Sequence, residues 1–332
     1  MYWLVCGDIL FTSIHSVGGF SLLFDFSKIH RIHTLTQYLG YQEDIINNYI
    51  NDQTTRNIKI FSLIRRSKER KVVQITDPCF ANILKSINEF LQTKYKPSES
   101  VIGYVKGRNI CDNAIKHIGK LIIIKADIKD FFYSINKTTI QNIFANLGAE
   151  PIIANALASL VTYDNILYPG LQTSPVLSNM VLEQLDSDFQ VFATKNNCDY
   201  SRYADDITFS TNTLFDTIDK TKEFFNKEIS QLLSKYGFCL NQSKFKVMKK
   251  GQTQIVTGLS VTDTNCPRIP RKIKRKIKTA CYLRYKLTYK QYCDRVKWCS
   301  PDYLEGLLHF YNKIEPDFIL KMQQLKRFGR KK

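Results

Sequence analysis

The feature that most constrains this chain is an apolar run of strand length that stops at a carboxylate: Leu121-Ile122-Ile123-Ile124-Lys125-Ala126-Asp127. A short run this rich in β-branched residues reads as a strand buried within a sheet. Burying it places Asp127 at the strand's end. A second acidic point follows in Arg202-Tyr203-Ala204-Asp205-Asp206-Ile207-Thr208-Phe209, where two adjacent carboxylates stand between β-formers. Residues 200–210 read as a hairpin around them. Adjacent carboxylates repel, which raises one pKa unless a cation sits between them. Three carboxylates at two strand ends suit a pair of Mg²⁺ ions, the arrangement used for in-line phosphoryl transfer. An Asp-rich turn is the plain alternative for either site alone.

Composition narrows the partners. The 332 residues carry 48 Lys and Arg against 30 Asp and Glu, a formal charge of +18. A protein this basic meets a polyanion. The excess is concentrated: 261–332 holds 19 basic and 6 acidic residues, a net of +13. Within it Arg268, Arg271, Lys272, Lys274, Arg275, Lys276 and Lys278 surround Ile269, Ile273 and Ile277, spaced by four. Such isoleucines line one face of a helix and leave the rest cationic. Nine cysteines, odd in number and without C-x-x-C spacing, indicate neither a zinc site nor a disulfide framework, and read as cytosolic thiols. The first 24 residues are apolar-rich but interrupted by Asp8 and His15, and no Lys or Arg precedes Lys28. They lack the basic start of a signal peptide and are too broken for a membrane span. A packed or interfacial helix, or an upstream extension, are the readings left.

Along the chain, 26–51 reads as helical, and 57–64 with 71–75 as a hairpin around the charged turn 65–70. Helices are expected at 81–91, 138–147, 152–161, 175–192 and 216–236, with Gly237 ending the last. Strands are expected at 238–240 and 255–261, followed by a helical, basic tail. This order suits an α+β core with a helical C-terminal region.

With these elements in place, the sequence resembles bacterial reverse transcriptases, most closely the retron type. Asp127 followed by Phe131-Phe132 resembles motif A, and Tyr203-Ala204-Asp205-Asp206 the YADD box of motif C. Between them Gly170-Leu171-Gln172-Thr173-Ser174-Pro175-Val176-Leu177-Ser178-Asn179 resembles motif B. After them Gly237-Phe238-Cys239-Leu240-Asn241-Gln242-Ser243-Lys244 resembles motif D. Asn113-Ala114-Ile115-Lys116-His117 matches the retron NAxxH signature, and Val256-Thr257-Gly258 the VTG signature. The motifs stand in family order over about 70–278. In motif B, Pro169 and Gln172 replace the family's usual glutamine and second proline, so no glutamine role is carried over.

The resemblance implies a right-hand polymerase of α+β class, with fingers, a palm of antiparallel sheet plus helices, and a helical thumb. The expected division is an N-terminal helical extension over 1–56, fingers and palm over 57–258 and a basic thumb over 259–332. It implies an RNA-directed DNA polymerase that uses a cognate structured non-coding RNA as primer and template. The product is RNA-linked single-stranded DNA (msDNA), made in anti-phage defence beside an effector protein encoded nearby, in the bacterial cytoplasm and away from membrane. Asp127, Asp205 and Asp206 are expected to hold two Mg²⁺ ions, and Lys244 to protonate pyrophosphate. Phe132 is expected under the dNTP sugar, excluding a 2′-hydroxyl; strand alternation would turn one of Phe131 and Phe132 inward and the other to the site. Gly170, Arg70 and Lys71 are expected near the dNTP. Asn113, His117, Val256, Thr257, Gly258, Arg271, Lys272, Lys274, Arg275 and Lys276 are expected against RNA. The alternatives are another defence-associated or group II-like reverse transcriptase, or a non-catalytic RNA-binding scaffold. The intact aspartates argue against the scaffold.

Overall fold

The computed structural model describes residues 26–65, 68–213, 217–263 and 265–328. The expectations for the first 24 residues, and for Arg66 in the fingers turn, lie outside them. In place of one helical stretch over 26–51, two helices form, α1 (Ile32–Leu39) and α2 (Glu43–Asn51). Gly40 separates them in a left-handed conformation and returns its N–H to Thr36 and Gln37, the closure that ends a helix. The fingers hairpin is β1 (Ile58–Arg65) with β2 (Lys68–Ile75), so Arg70 lies in a strand rather than the turn. Asp77 then caps α3 (Pro78–Lys94) by accepting from the N–H groups of Cys79 and Phe80.

The short helix α4 (Ile110–Ile115) precedes the central strand β3 (Ile122–Asp127). Next come α5 (Lys137–Asn146) and α6 (Pro151–Val161), the latter apolar and buried over most of its surface. The helix expected over 175–192 turns at Leu182 into α7 (Ser174–Val181) and α8 (Glu183–Lys195). Leu182 is fully buried with a near-zero ψ, so the two helices pack around it instead of running straight. The hairpin β4 (Cys198–Tyr203) and β5 (Asp206–Thr211) leads to α9 (Ile218–Lys235).

The strand expected over 238–240 is one bridge, Ile128 to Leu240. The sheet's fourth strand is β6 (Lys246–Lys249), giving an antiparallel order β4-β5-β3-β6. A continuous strand at 255–261 is replaced by β7 (Ile255–Val256) and β8 (Leu259–Ser260). Thr257 and Gly258, both at positive φ (44° and 83°), form the two-residue turn between them. The tail is α10 (Arg271–Lys286), α11 (Tyr289–Arg295), α12 (Pro301–Asn312) and α13 (Pro316–Phe328).

The two-residue period of β3 explains the architecture. Ile122, Ile124 and Ala126 enter the main core, with α-helices behind the sheet. Each fully buried isoleucine contributes about 1.5–3 kcal/mol. Ile123, on the opposite face, joins a second core made with Ile110, Ala114, Val256 and α10 to α13. Lys125 and Asp127 continue that face to the strand's end. The helical tail therefore packs over one end of the sheet face whose other end carries the carboxylate.

Candidate active site

The register brings two of the three aspartates together. Asp127 of β3 pairs with Asp206 of β5, and Asp206 also closes the β4–β5 turn opposite Tyr203. Asp205 sits in that turn after Ala204, which takes a left-handed φ of 57°. The Asp205 carbonyl accepts from the Ile128 N–H at 3.1 Å, tying the turn to the chain beyond Asp127. Asp205 is partly buried, and desolvation together with Asp127 and Asp206 pushes its pKa up to about 6.

Two cations answer this acidity. Lys244 Nζ lies 2.5 Å from Asp127 Oδ2, and Asn241 Nδ2 donates to Asp127 Oδ1 at 2.9 Å. Lys125 Nζ stands 3.7 Å from Asp206 Oδ2. The loop carrying Lys244 is held by the Asn241 N–H, which donates to the Asp127 carbonyl at 2.8 Å, and by Lys129 N–H to Cys239 O at 2.8 Å. Among the described residues, no three His, Cys, Asp or Glu side chains are gathered in ligand geometry. The donor chemistry nevertheless fits a hard divalent cation: three carboxylates, one strained toward protonation by its neighbours, with lysine ammonium groups supplying the positive charge the site demands.

Beneath the turn lies a buried polar network that joins Arg202 and Ala204 to Asn179, the end of the motif B string, and to Asp186, to which no motif pointed. Arg202 forks onto Asp186 with bonds of 2.7 and 2.6 Å. Its remaining arm donates to Asn179 Oδ1 and to the Ala204 carbonyl, each at 3.0 Å. Burial alone would lower the guanidinium pKa; Asp186 outweighs it and holds the pKa raised. Removing one partner of such a pair typically costs about 3–5 kcal/mol. The Arg202 backbone also brackets residues 100–102: its N–H donates to Ser100 O and its carbonyl accepts from Ile102 N–H, both at 2.8 Å. Asn179 Nδ2 donates to Gly103 O at 2.9 Å. A Cβ on Gly103 would fall 2.3 Å from the Ala204 nitrogen, so only glycine permits this approach.

The residues expected near the nucleotide lie on the fingers hairpin, the chain after β3 and the turn before α7. Phe131 and Phe132 lie in a 3-10 turn, Phe131–Ser134, entered through Asp130 at φ 48°. The strand alternation expected for them does not apply, and both are buried. Their rings pack 5.2 Å apart; Phe131 continues to Phe238 at 6.0 Å and Phe132 to Tyr104 at 6.3 Å. Burial raises the pKa of both Tyr104 and Tyr133, and the Arg70 charge acts on each in the opposite sense. Lys71, its strand neighbour, alternates to the other face and offers its carbonyl to Tyr133 Oη at 2.6 Å. Gly170 has φ 111°, and a Cβ there would lie 2.1 Å from the Val73 carbonyl. With Val73 N–H donating to Pro169 O at 3.0 Å, its visible task is to seat the fingers hairpin on the palm.

The two retron signatures meet inside the protein. His117 is buried and bridges the β4–β5 hairpin, with Nδ1 at 2.7 Å from Ser210 Oγ and Nε2 at 2.7 Å from Ser201 Oγ. Ser201 Oγ donates to Asn113 Oδ1 at 2.6 Å, and Asn113 Nδ2 reaches Thr257 Oγ1 at 3.5 Å. Thr257 Oγ1 donates to Ile110 O at 3.0 Å. Asn113, His117 and Val256 are therefore corrected from RNA contacts to internal ones: each is fully buried, and the side chains of Asn113 and His117 find their hydrogen-bond partners within the fold. Gly258 is exposed and Thr257 partly so.

On α10, Arg271, Lys272, Arg275 and Lys276 are exposed, and Lys276 lies 5.4 Å over Trp298. Lys274 is only partly exposed. It pairs with buried Glu315 and lies 5.3 Å over Phe318, so it secures the packing of α10 on α13. Lys125, Asn241, Arg202 and Tyr104 are the site residues to which the sequence alone assigns no role. Lys125 had a visible signal as the one charge in an apolar strand, and Arg202 and Asn241 stood within the quoted motif strings without a role of their own.

The chain matches the family described as reverse transcriptase (RNA-dependent DNA polymerase) over residues 52–286. It is 27% identical over 286 residues to the retron Ec83 reverse transcriptase of Escherichia coli, covering 82% of this chain and 86% of that one. It is also 27% identical to the retron Ec86 reverse transcriptase of Escherichia coli, over 61% of this chain and 63% of that one. The retron Mx65 reverse transcriptase of Myxococcus xanthus is 27% identical, over 64% of this chain and 53% of that one. Telomerase from Candida albicans, solved in complex with a fragment of telomeric RNA, overlays with a TM-score of 0.46 at 13% identity, over 81% of this chain and 61% of that one. The arrangement of carboxylates at the end of a β4-β5-β3-β6 sheet is thus carried by a chain that belongs to the reverse transcriptase family, the RNA-directed DNA polymerases.

Proposed function

We propose that this enzyme copies a cognate structured non-coding RNA, which serves as both primer and template, into RNA-linked single-stranded DNA (msDNA). The observation that carries the reading is the convergence of Asp127 and Asp206 in register, with Asp205 at the adjoining turn. The similarity to retron reverse transcriptases and the joining of the NAxxH and VTG signatures support the retron assignment. On this reading it works in the bacterial cytoplasm, in anti-phage defence with an effector protein. No helix among the described residues is long and apolar enough to cross a membrane.

Asp127, Asp205 and Asp206 would hold two Mg²⁺ ions, which when bound supply charge neutralisation at the reacting phosphate. The chain's own residues do the rest. Arg70 approaches from the fingers to meet the triphosphate of a dNTP, while Lys71 lies on the other face of the strand and screens at longer range. Phe132 closes the space under the sugar. Lys244 is the acid for the departing pyrophosphate; Asp127 keeps its ammonium within the site. General acid help of this kind is typically worth ~10²–10⁴-fold. Arg271, Lys272, Arg275 and Lys276 present exposed charge for RNA phosphates, with the Thr257-Gly258 turn at the thumb's root.

The test is to purify the protein from its host, extract its nucleic acid and digest with RNase. A discrete short DNA whose mobility shifts on RNase treatment supports the reading. Recovery of RNA alone from active protein would overturn it.

A further inference from the structure

We propose that Tyr104 is a positioning residue for sugar selection, holding the Phe132 ring in place from the open side of the site. The inference rests on the reading of Phe132 as the residue that excludes a 2′-hydroxyl.

Four observations converge on Tyr104. Its ring lies 6.3 Å from that of Phe132 at 53°, within the range of a favourable aromatic pair. On its other side Phe132 is backed by Phe131, and Phe131 by Phe238, both buried. Phe132 is therefore clamped between a fixed core ring and Tyr104, which is only half-buried and so stands at the cleft end of the series. Tyr104 itself is set rigidly. It takes a left-handed φ of 61°, and the preceding residues are bonded to both backbone groups of Arg202 and to the Asn179 amide. Gly103 lies so close to the Asp205 turn that a Cβ on it would fall 2.3 Å from the Ala204 nitrogen, so this segment and the turn form one unit. Finally, the phenol is within electrostatic reach of the acidic centre: burial raises its pKa and the Asp205 carboxylate raises it further, while Arg70 acts in the opposite sense.

A single ring can exclude a hydroxyl only if it cannot swing aside. Phe131 blocks one direction and Tyr104 the other. Because Tyr104 is built on the segment that contacts the Asp205 turn, the sugar-facing ring is referenced to the carboxylates rather than to the fingers. Loss of the Tyr104 ring should loosen Phe132 without removing it. An aromatic pair of this kind converts to about a two- to tenfold change in selectivity.

The experiment measures the ratio of dNTP to rNTP incorporation for wild type, Tyr104→Ala, Tyr104→Phe, Phe132→Ala and the double variant Tyr104→Ala/Phe132→Ala, with thermal unfolding as a folding control. Tyr104→Ala should lower the ratio by about two- to tenfold. Tyr104→Phe should restore it, since the ring does the positioning. In the Phe132→Ala background, removing Tyr104 should add little further effect. An unchanged ratio in Tyr104→Ala, alongside a lowered one in Phe132→Ala, overturns the positioning role and leaves Phe132 as the selector. Fully multiplicative effects in the double variant also overturn it, because the two rings then act separately. An unchanged ratio in Phe132→Ala sinks the underlying reading instead. If Tyr104→Ala unfolds, Tyr104→Leu replaces it as the ring-deleted variant, judged by the same ratios.

Discussion

Replacing Asp205 by Asn should make the protein more stable while abolishing synthesis. Asp205 is held ionised at neutral pH against desolvation and two neighbouring carboxylates, which lift its pKa from 3.8 to about 6. A raised carboxylate pKa means the folded state binds the proton more tightly than the unfolded chain. The penalty is absent below about pH 4, grows as pH rises, and is complete above about pH 6. Two pH units correspond to about 3 kcal/mol, and partial hydration of the side chain brings the expected gain to about 1–3 kcal/mol at pH 7. At roughly 2–4 °C per kcal/mol, the melting temperature should rise by roughly 2–12 °C. Asp127→Asn should not behave alike, although it too removes charge, because it also gives up the Lys244 ion pair and the Asn241 hydrogen bond. The assay is thermal unfolding in EDTA from pH 4 to pH 8, read as the difference between variant and wild type so that other titrations cancel. With Mg²⁺ present the ranking should narrow or invert, since only the wild type retains the full carboxylate set. A variant that is less stable than wild type in EDTA at pH 7, or a difference that does not shrink toward pH 4, would refute the electrostatic account.

Three further outcomes are expected. Burial first, then Lys116, Lys120 and Lys125, lower the His117 pKa to about 3, so the native state resists protonating it; stability should fall as pH drops below 6.5, and His117→Asn should flatten that acid limb in a pH series of unfolding curves. Gly170→Ala forces a Cβ onto the Val73 carbonyl and should cost about 1–3 kcal/mol and raise KM for dNTPs more than it lowers kcat, checked by denaturation and steady-state kinetics. Exchanging Arg271, Lys272 and Arg275 for Glu should reduce the log–log salt slope of duplex RNA binding by roughly 0.9 or less for each phosphate no longer neutralised, whereas Lys274→Ala should lower thermal stability and leave the slope unchanged, because it strands buried Glu315.

Much of this site was legible because strand physics and motif spacing agree. The apolar run ending at Asp127 reads as a strand buried within a sheet and lies mid-sheet, and residues 200–210 read as a hairpin and form one. The cationic helix was legible from isoleucines spaced by four, but not which cation turns inward: Lys274 is set apart by Glu315, more than forty residues away in sequence. The same limit applies to Asn113 and His117. A polar signature reads as a binding surface until Ser201, Ser210 and Thr257 are brought against it by pairings distant in sequence. Strand alternation does not reach Phe131 and Phe132, because Asp130, with its positive φ, ends the extended chain and begins a tight turn. Tyr104 carries no periodic signal, since an isolated aromatic beside a glycine is recognisable only once the Arg202 backbone draws it to the catalytic turn.

The most direct test of the central claim is RNA-templated DNA synthesis by the protein with its co-purifying RNA, given Mg²⁺ and labelled dNTPs. Wild type should yield labelled DNA whose electrophoretic mobility increases on RNase digestion, because the DNA is joined to RNA. Asp205→Asn, bound to the same RNA, should yield none. Equal labelled product from both proteins, or no product from wild type with intact RNA, would contradict the assignment of Asp127, Asp205 and Asp206 as the centre of the reaction.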